Sequence, residues 1–399
     1  MIDDILFYTT VYVSLFVSVF WLLVFLGNKE TKRKSLKKLP SLSVIIPAHN
    51  EEHHLENCVE SLIGQDYPGL KIIIVDDGST DSTAEAGKRL SRKYSFIRYI
   101  RKENRGKAAA LNTGLSTVNS KFFGFIDADT SLSKNALRNM MAYFSSDAAA
   151  VIAVIKPVEP RNFVERIQKI EYMIASFTRK LMSFLNSLYY TPGFALYKTE
   201  IVKKLGGFDE DNLTEDLEIG LRLKDNGYRI ENTAEDYAYT VVPKTMHDLF
   251  DQRMRWYRGH IYNTKKYSHM FFSKKHGDLG IFILPIQYIL LAVTSPFLVL
   301  GIYDFLLALA KNIIDIKLVG YDFLYFFGTA SFNFINPFTF FVVTLFATFL
   351  LILKVSERQI KEKISPFEYA LYMIVYPFIN LFLWIAAFTQ EMLRTKKKW

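Results

Sequence analysis

Carboxylates in this chain gather in short clusters whose spacing suits chemistry on a phosphate-bearing ligand. Asp127-Ala128-Asp129 sets two carboxylates one residue apart. Crowded carboxylates repel, and a divalent cation with oxygen ligands relieves that cost. Mg2+ or Mn2+ bridging to a ligand diphosphate is the expected arrangement. A second cluster is Asp76-Asp77-Gly78-Ser79, and a third is Thr214-Glu215-Asp216-Leu217. The third reads as a helix start, with Thr214 as cap, Leu217 and Leu221 on one apolar face, and Gly227 as the stop. Acidic residues in a first turn also simply suit the helix dipole. The functional reading is that the dipole helps keep one carboxylate ionised as a general base.

Cationic groups stand at two matching places. Gly106-Lys107 opens an Ala-rich helix, where a helix N-terminus and a lysine together suit a phosphate. The plainer reading is a surface lysine. Gln252-Arg253-Met254-Arg255-Trp256 lies in a basic, aromatic stretch running to Phe272, which suits an amphipathic helix on a bilayer surface. Phe163, Ile167, Ile170, Ile174, Phe177 and Leu181 form another apolar stripe at helical spacing.

These residues need a frame, and the sequence between 41 and 126 supplies one. Short apolar runs at Ser43–Ile46, Lys71–Val75, Phe96–Ile100 and Phe122–Ile126 alternate with helical stretches at Glu51–Gly64, Ser79–Lys93 and Lys107–Val118. That alternation predicts a mostly parallel sheet with helices on both faces. Ligands of such sheets bind beyond the carboxyl ends of the strands. Pro47-Ala48-His49-Asn50-Glu51, Asp76–Ser79 and Asp127–Asp129 all follow strands, so they fall on one edge. A lone Asp after a strand is often only a cap or a turn former. Several on one edge read as a site.

The chain has 399 residues, of which 50% are apolar, and a formal charge of +9. Its apolar residues concentrate at the two ends. Ile5–Leu26 carries no charge and is long enough to span a bilayer; Asp3 and Asp4 and the lack of a cleavage site argue against a removable signal. The basic run from Lys29 to Lys38 places the middle of the chain on the cytoplasmic side. Leu279–Ile302, Phe338–Leu353 and Phe367–Phe388 read as further spans, with Leu318–Ile335 ambiguous, so the C-terminal region has three or four. Three spans put Lys396-Lys397-Lys398 outside, and four expel the basic stretch from Lys354 to Lys363. Domain bounds follow: a span at 1–28, an α/β domain at 40–244, an amphipathic interfacial region at 245–278 and a membrane region at 279–399. Lys and Arg flank apolar segments, so membrane surface and phosphate ligands account for the charge, with no nucleic acid as partner. The single cysteine, Cys58, sits among Leu55, Val59 and Leu62 as a core residue, and no intrachain disulfide can form. No Walker A sequence and no Gly-x-Gly-x-x-Gly after the first strand are present.

In order along the chain, Val44–Glu51, Val75–Ser79, Gly106-Lys107-Ala108 with Asn112, Asp127-Ala128-Asp129, Thr214-Glu215-Asp216 and Gln252-x-x-Arg255-Trp256 form one set. The set resembles the family 2 inverting glycosyltransferases of the GT-A fold, a Rossmann-like architecture. The likeness is to the membrane synthases of hyaluronan, chitin, cellulose and poly-N-acetylglucosamine, and it covers roughly residues 41–260 plus the flanking spans. It implies that Pro47, His49, Glu51 and Asp77 surround the nucleotide base and ribose, although many relatives carry Tyr where His49 stands. It implies that Lys107 approaches the base or diphosphate, Asp127 contacts the nucleotide sugar and Asp129 binds Mg2+ or Mn2+. Asp216 becomes the catalytic base, and Gln252, Arg255 and Trp256 hold the diphosphate and the acceptor end. The donor implied is a UDP-sugar and the product a growing polysaccharide, with possible coupled export. The alternative is a single addition to a lipid or polyprenyl-phosphate acceptor. The resemblance places the enzyme in the plasma membrane with a cytoplasmic catalytic domain. The small membrane portion leaves room for a homo-oligomer or an accessory subunit.

Overall fold

Eight strands form one mixed sheet in the order β3-β2-β1-β4-β7-β6-β8-β5. The structure is a computed structural model and describes residues 2–28, 36, 38–319 and 337–393. β1 (Leu42–Ala48), β2 (Leu70–Asp77), β3 (Ile97–Lys102) and β4 (Phe122–Ile126) run parallel, as the alternation predicts. Every residue of β1 and β4 is buried, which is why both read as continuous apolar runs. Beyond β4 the sheet turns mixed. β7 (Phe194–Lys198) is antiparallel to β4 and to β6 (Ala148–Pro157), β6 is parallel to β8 (Arg229–Thr240), and β5 (Thr130–Leu132) closes the edge antiparallel to β8.

Two helices begin later than their periodicity predicts. α2 runs Leu55–Ile63 and α3 runs Thr83–Lys93. The residues ahead of them are taken up by a loop-to-loop network. Asn50 turns into the left-handed region at φ 57° and accepts the Thr80 amide at 2.8 Å. The Glu51 amide donates to Thr83 Oγ1 at 2.7 Å, and Glu52 accepts the Ser82 amide at 2.9 Å. Polar side chains thus compete with the helix for these backbone groups.

α4 (Lys107–Ser116) lies against β1 and β2, α5 (Ala136–Met141) and α6 (Phe163–Phe184) cover β6 and β8, and α7 (Thr199–Lys204) packs on β7. Ile167, Ile170, Phe177 and Leu181 of the predicted α6 stripe are buried, whereas Phe163 at its start is exposed. α8 (Glu215–Asp225) packs on β8, and α9 (Met246–Lys266) packs on α8. The C-terminal helix, Pro366–Met392, lies along both α9 and α6. Tyr257 stacks on Trp384 with ring centroids 4.5 Å apart, and Arg258 Nε donates to Glu391 Oε1 at 2.6 Å. The basic, aromatic face of α9 therefore meets a helix of its own chain.

The chain divides into two units, Lys29–Phe282 with Ser356–Trp399, and Met1–Asn28 with Ile283–Val355. In the second unit, α1 (Ile2–Gly27) packs on α10 (Leu284–Val319) through Phe7 and Phe297, whose ring centroids are 5.5 Å apart. Thr10 donates across to the Val293 carbonyl at 3.3 Å. Among the described residues, Ile5–Gly27, Leu279–Tyr303 and Pro366–Met392 are long and apolar enough to cross a membrane. A helix at Pro337–Ile360 contains the span expected at Phe338–Leu353. The ambiguous stretch at Leu318–Ile335 lies, from residue 320 on, outside the described residues.

Candidate active site

The carboxyl ends of β1, β2 and β4 share one edge of the sheet, because the three strands are parallel neighbours. Asp77 closes β2, and its carboxylate accepts the amides of Arg105 at 3.1 Å and Gly106 at 2.7 Å. Lys102 Nζ pairs with the same group. Gly78 has φ 74°, and a Cβ there would lie 2.9 Å from the Asn104 amide nitrogen. The turn after β2 is thus pressed against the loop after β3, and only glycine fits between them. Asp77 is 3% exposed and fully engaged in holding that loop. His49 Nδ1 lies 3.0 Å from the Asp77 carbonyl, so it joins this group, and Asn104 Nδ2 lies 3.3 Å from its Nε2. Pro47 is buried in β1 opposite Val75. Asn112 bonds the Phe208 backbone at 2.8 and 2.9 Å, tying α4 to the loop before α8.

The loop so fixed delivers Lys107 as the first residue of α4. Lys107 Nζ sits 2.6 Å from Asp127 Oδ1 and 2.9 Å from Glu215 Oε1. One lysine therefore joins two clusters that are 88 positions apart in the sequence, at 127 and 215. Burial works against its charge, but Asp127, then Glu215 and Asp216, hold the ammonium protonated well above the ordinary lysine value. Burial also raises the Glu215 carboxyl, yet Lys107 overcomes it, and Arg255 adds to the net lowering. Asp216 goes the other way. Burial, then the Glu215 charge beside it, pushes it up to about 6. Asp129 is likewise pushed up to about 6 by burial, then by Asp127 and Glu51. Glu215 and Asp216 are thus shifted in opposite directions within one helical turn.

Negative charge is in excess at this edge. Asp127, Asp129, Glu215 and Asp216 all act on Lys107 or are acted on by it, and Arg255 acts on Glu215 as well. Cys58 lies beneath, 1% exposed, and its thiol donates to the Asp127 carbonyl at 3.6 Å. Its buried place agrees with the core role expected of it. Among the described residues no three His, Cys, Asp or Glu side chains converge to hold a metal by themselves. The carboxylate surplus nonetheless fits a hard divalent ion that takes its other ligands from phosphate oxygens and water.

α9 supplies the third side. Thr214 stands at the N-cap of α8, but its hydroxyl does not cap the helix as expected. It accepts Asn263 Nδ2 at 3.0 Å, within a buried network that includes Asn212. A Cβ on Gly259 would lie 2.4 Å from Thr214 Oγ1, so α9 touches the start of α8 through a residue without a side chain. Gly259→Ala must push α9 off the Glu215-Asp216 turn. Such overpacking costs about 1–3 kcal/mol. The expected result is a lower melting temperature in detergent together with a turnover loss of about tenfold or more, as misplacement alone can cause.

Within α9, Arg255 is exposed and makes no hydrogen bond or ion pair among the described residues. Gln252 accepts Arg253 Nη1, and the Arg253 guanidinium lies 4.1 Å from the Trp256 ring centroid. Arg253 itself is 1% exposed and paired with Glu171 at 2.6 Å. It orients Gln252 and Trp256, and the sequence gives no sign of this, since Glu171 lies on α6, far away in the chain. The sheet edge thus gathers His49 and Asp77 in one group and Lys107, Asp127, Glu215 and Asp216 in another. Glu51 and Asp129 adjoin the second group through their charges. Among the described residues Pro47 makes no side-chain polar contact with either group, and Gln252 turns toward Arg253.

Residues 43–206 match the family model described as glycosyl transferase family 2. The chain carries a family 2 glycosyltransferase domain. It is 28% identical over 398 residues to the poly-beta-1,6-N-acetyl-D-glucosamine synthase of Staphylococcus epidermidis, covering 96% of this chain and 93% of that one. It is 31% identical over 261 residues to the synthase of the same name from Staphylococcus aureus, covering 61% of this chain and 63% of that one. Among solved structures, the mannosyltransferase from Pyrobaculum calidifontis in complex with GDP-Man and Mn2+ aligns with TM-score 0.61 at 21% identity. The alignment covers 90% of this glycosyltransferase and 99% of that chain. The GT-A fold expected of the sequence is the fold present.

Proposed function

We propose that this glycosyltransferase is a processive, inverting synthase that extends a polysaccharide from UDP-N-acetylglucosamine at the cytoplasmic face of the plasma membrane. The observation that carries the reading is the Lys107 bridge between Asp127 and Glu215, with Asp216 alongside. The likeness to poly-N-acetylglucosamine synthases over 96% of the chain supports the donor and the polymeric product. Basic residues after the first span support the cytoplasmic side. Residues 1–28 and 279–399 serve as the membrane portion, 40–244 as the catalytic domain and 245–278 as its boundary with the bilayer.

In this mechanism Asp216 takes the proton from an acceptor hydroxyl as that oxygen attacks the anomeric carbon. The bond from that carbon to the diphosphate breaks, and its electron pair leaves with UDP. Lys107 and Arg255 meet the charge that develops on the leaving oxygen. Asp129, with Asp127 nearby, would hold Mg2+ or Mn2+, which would supply further charge neutralisation on the diphosphate. Trp256 supports the acceptor end through its apolar ring. His49, Glu51, Asp77 and Pro47 frame the nucleotide, Asp77 by fixing the Asn104–Gly106 loop. A single displacement inverts the anomeric centre and leaves no covalent sugar on the enzyme.

A panel of UDP-sugars offered to the purified protein, with chromatography of labelled product, tests the reading. A ladder of increasing length from UDP-N-acetylglucosamine is expected. One sugar added to a lipid, or release of UDP only with another donor, would overturn it.

A further inference from the structure

One face of α6 bridges Trp256 and Asp216. Tyr172, Ser176 and Arg179 are spaced four and three residues apart, so they share that face. The Tyr172 ring centroid lies 6.4 Å from that of Trp256. At the other end, the Arg179 guanidinium lies 5.9 Å from the Tyr190 ring centroid. The adjacent Thr191 donates its amide and its hydroxyl to the Asp216 carbonyl, at 3.2 and 2.9 Å. Contacts therefore pass from the tryptophan expected at the acceptor end to the expected base, with α6 as the wall between.

Arg179 is 5% exposed and pairs with no carboxylate among the described residues. Its Nη2 donates to Ser176 Oγ at 2.6 Å, and its buried Nε donates to nothing. A buried cation without a counter-ion and with an idle donor is costly, and a Met or Leu would fill the same space more stably. Burial lowers its pKa, while Tyr190, Tyr172 and Asp216 offset part of that. The Tyr172 hydroxyl also makes no hydrogen bond among the described residues, although burial and the Asp129 charge both act on it. Two donors on one helix face are thus left for a ligand. The residues expected at the donor sugar's nucleotide and diphosphate belong to β1, β2, β4, α4, the turns after these strands and α9, not to α6.

We propose that Arg179 and Tyr172 bind the terminal sugar of the acceptor glycan, donating from Nε and Oη to its hydroxyl or acetamido oxygens. They thereby fix how the acceptor lies against Asp216. The acceptor is neutral, so it needs donors and not a counter-charge, and the Asp216 charge offsets part of the burial cost of the guanidinium without pairing with it. This inference rests on the synthase reading given above.

The test uses the full-length protein in nanodiscs, with UDP-N-acetylglucosamine and short β-1,6-linked N-acetylglucosamine oligosaccharides varied in turn. Arg179→Met and Tyr172→Phe are each expected to raise the acceptor KM about tenfold, the worth of one hydrogen bond to a buried donor. The donor KM is expected to stay within about twofold, and Arg179→Lys to recover part of the loss. An unchanged acceptor KM with only a shifted melting temperature would make α6 merely structural and overturn the inference. So would a donor KM that rises in parallel. If Arg179→Met does not fold, Tyr172→Phe decides, since it removes one oxygen and keeps the ring against Trp256. A wild-type enzyme that cannot extend the oligosaccharide removes the synthase reading itself. Extension with unaltered variants removes only this inference.

Discussion

Asp216→Asn is expected to reduce turnover by at least about 10²–10⁴-fold, the usual contribution of a positioned general base. The Asn side chain keeps the shape and can still accept the Leu217 amide, which Asp216 Oδ1 accepts at 2.8 Å. Donor affinity should therefore change little, and the loss should fall on kcat. The pH dependence carries the sign of the proposed role. Burial and Glu215 raise the Asp216 carboxyl to about 6, so the wild-type rate should climb as pH rises through that value and the base ionises. The residual rate of the variant should lack that step. Stability runs in the opposite sense. A carboxyl whose folded pKa lies above its unfolded value takes up protons on folding between about pH 4 and 6. Its contribution to stability is present below that window and lost as pH rises through it. Asp216→Asn should accordingly melt higher than wild type at pH 7, a gain typical when a strained site is relaxed. A variant that is slow but no more stable, with its acid limb intact, would place the base elsewhere.

What the sequence reveals about this site is its acidic half and its edge. Parallel strands with apolar residues throughout leave a plain periodic signal, so β1 to β4 and the clusters that follow them could be located without coordinates. β5 has three residues, too few to show a period, and β8 carries Glu231, Asn232, Thr233 and Asp236, so it shows no apolar run despite its twelve residues. The outer end of the mixed half stays illegible for those reasons. Helix starts depart from the periodicity where side chains outbid the helix, as Asn50, Glu52 and Thr83 do ahead of α2 and α3. Cross-element polar contacts were hidden for a different reason. The acidic first turn of α8 has a sufficient local explanation in the helix dipole, and only the Lys107 bridge gives Glu215 a partner of its own. Arg253 and Arg179 look like ordinary basic residues on amphipathic helices until their burial is known. The sequence likewise gives no sign that Tyr257 and Arg258 of α9 meet the C-terminal helix.

Asp129→Ala is expected to abolish metal-dependent turnover. The argument starts from charge, because four carboxylates surround a lysine that two of them already engage. Among the described residues Asp129 has no cationic partner within ion-pair distance, and its carboxylate accepts the Thr130 hydroxyl at 3.0 Å and, weakly, the Thr240 hydroxyl at 3.5 Å. Burial and the neighbouring Asp127 and Glu51 make its ionised form costly, and a divalent cation is what reverses that cost. EDTA should therefore stop the wild-type enzyme, and Mg2+ or Mn2+ should restore it. The variant should stay inactive at any concentration of either ion. With that charge gone, burial weighs less on the remaining site, so Asp129→Ala should also melt higher than wild type in the presence of EDTA. Adding metal should stabilise wild type and leave the variant unmoved, which measures binding without turnover. Near-normal rates in the variant would remove Asp129 from the metal site and leave its burial beside Asp127 without a chemical purpose.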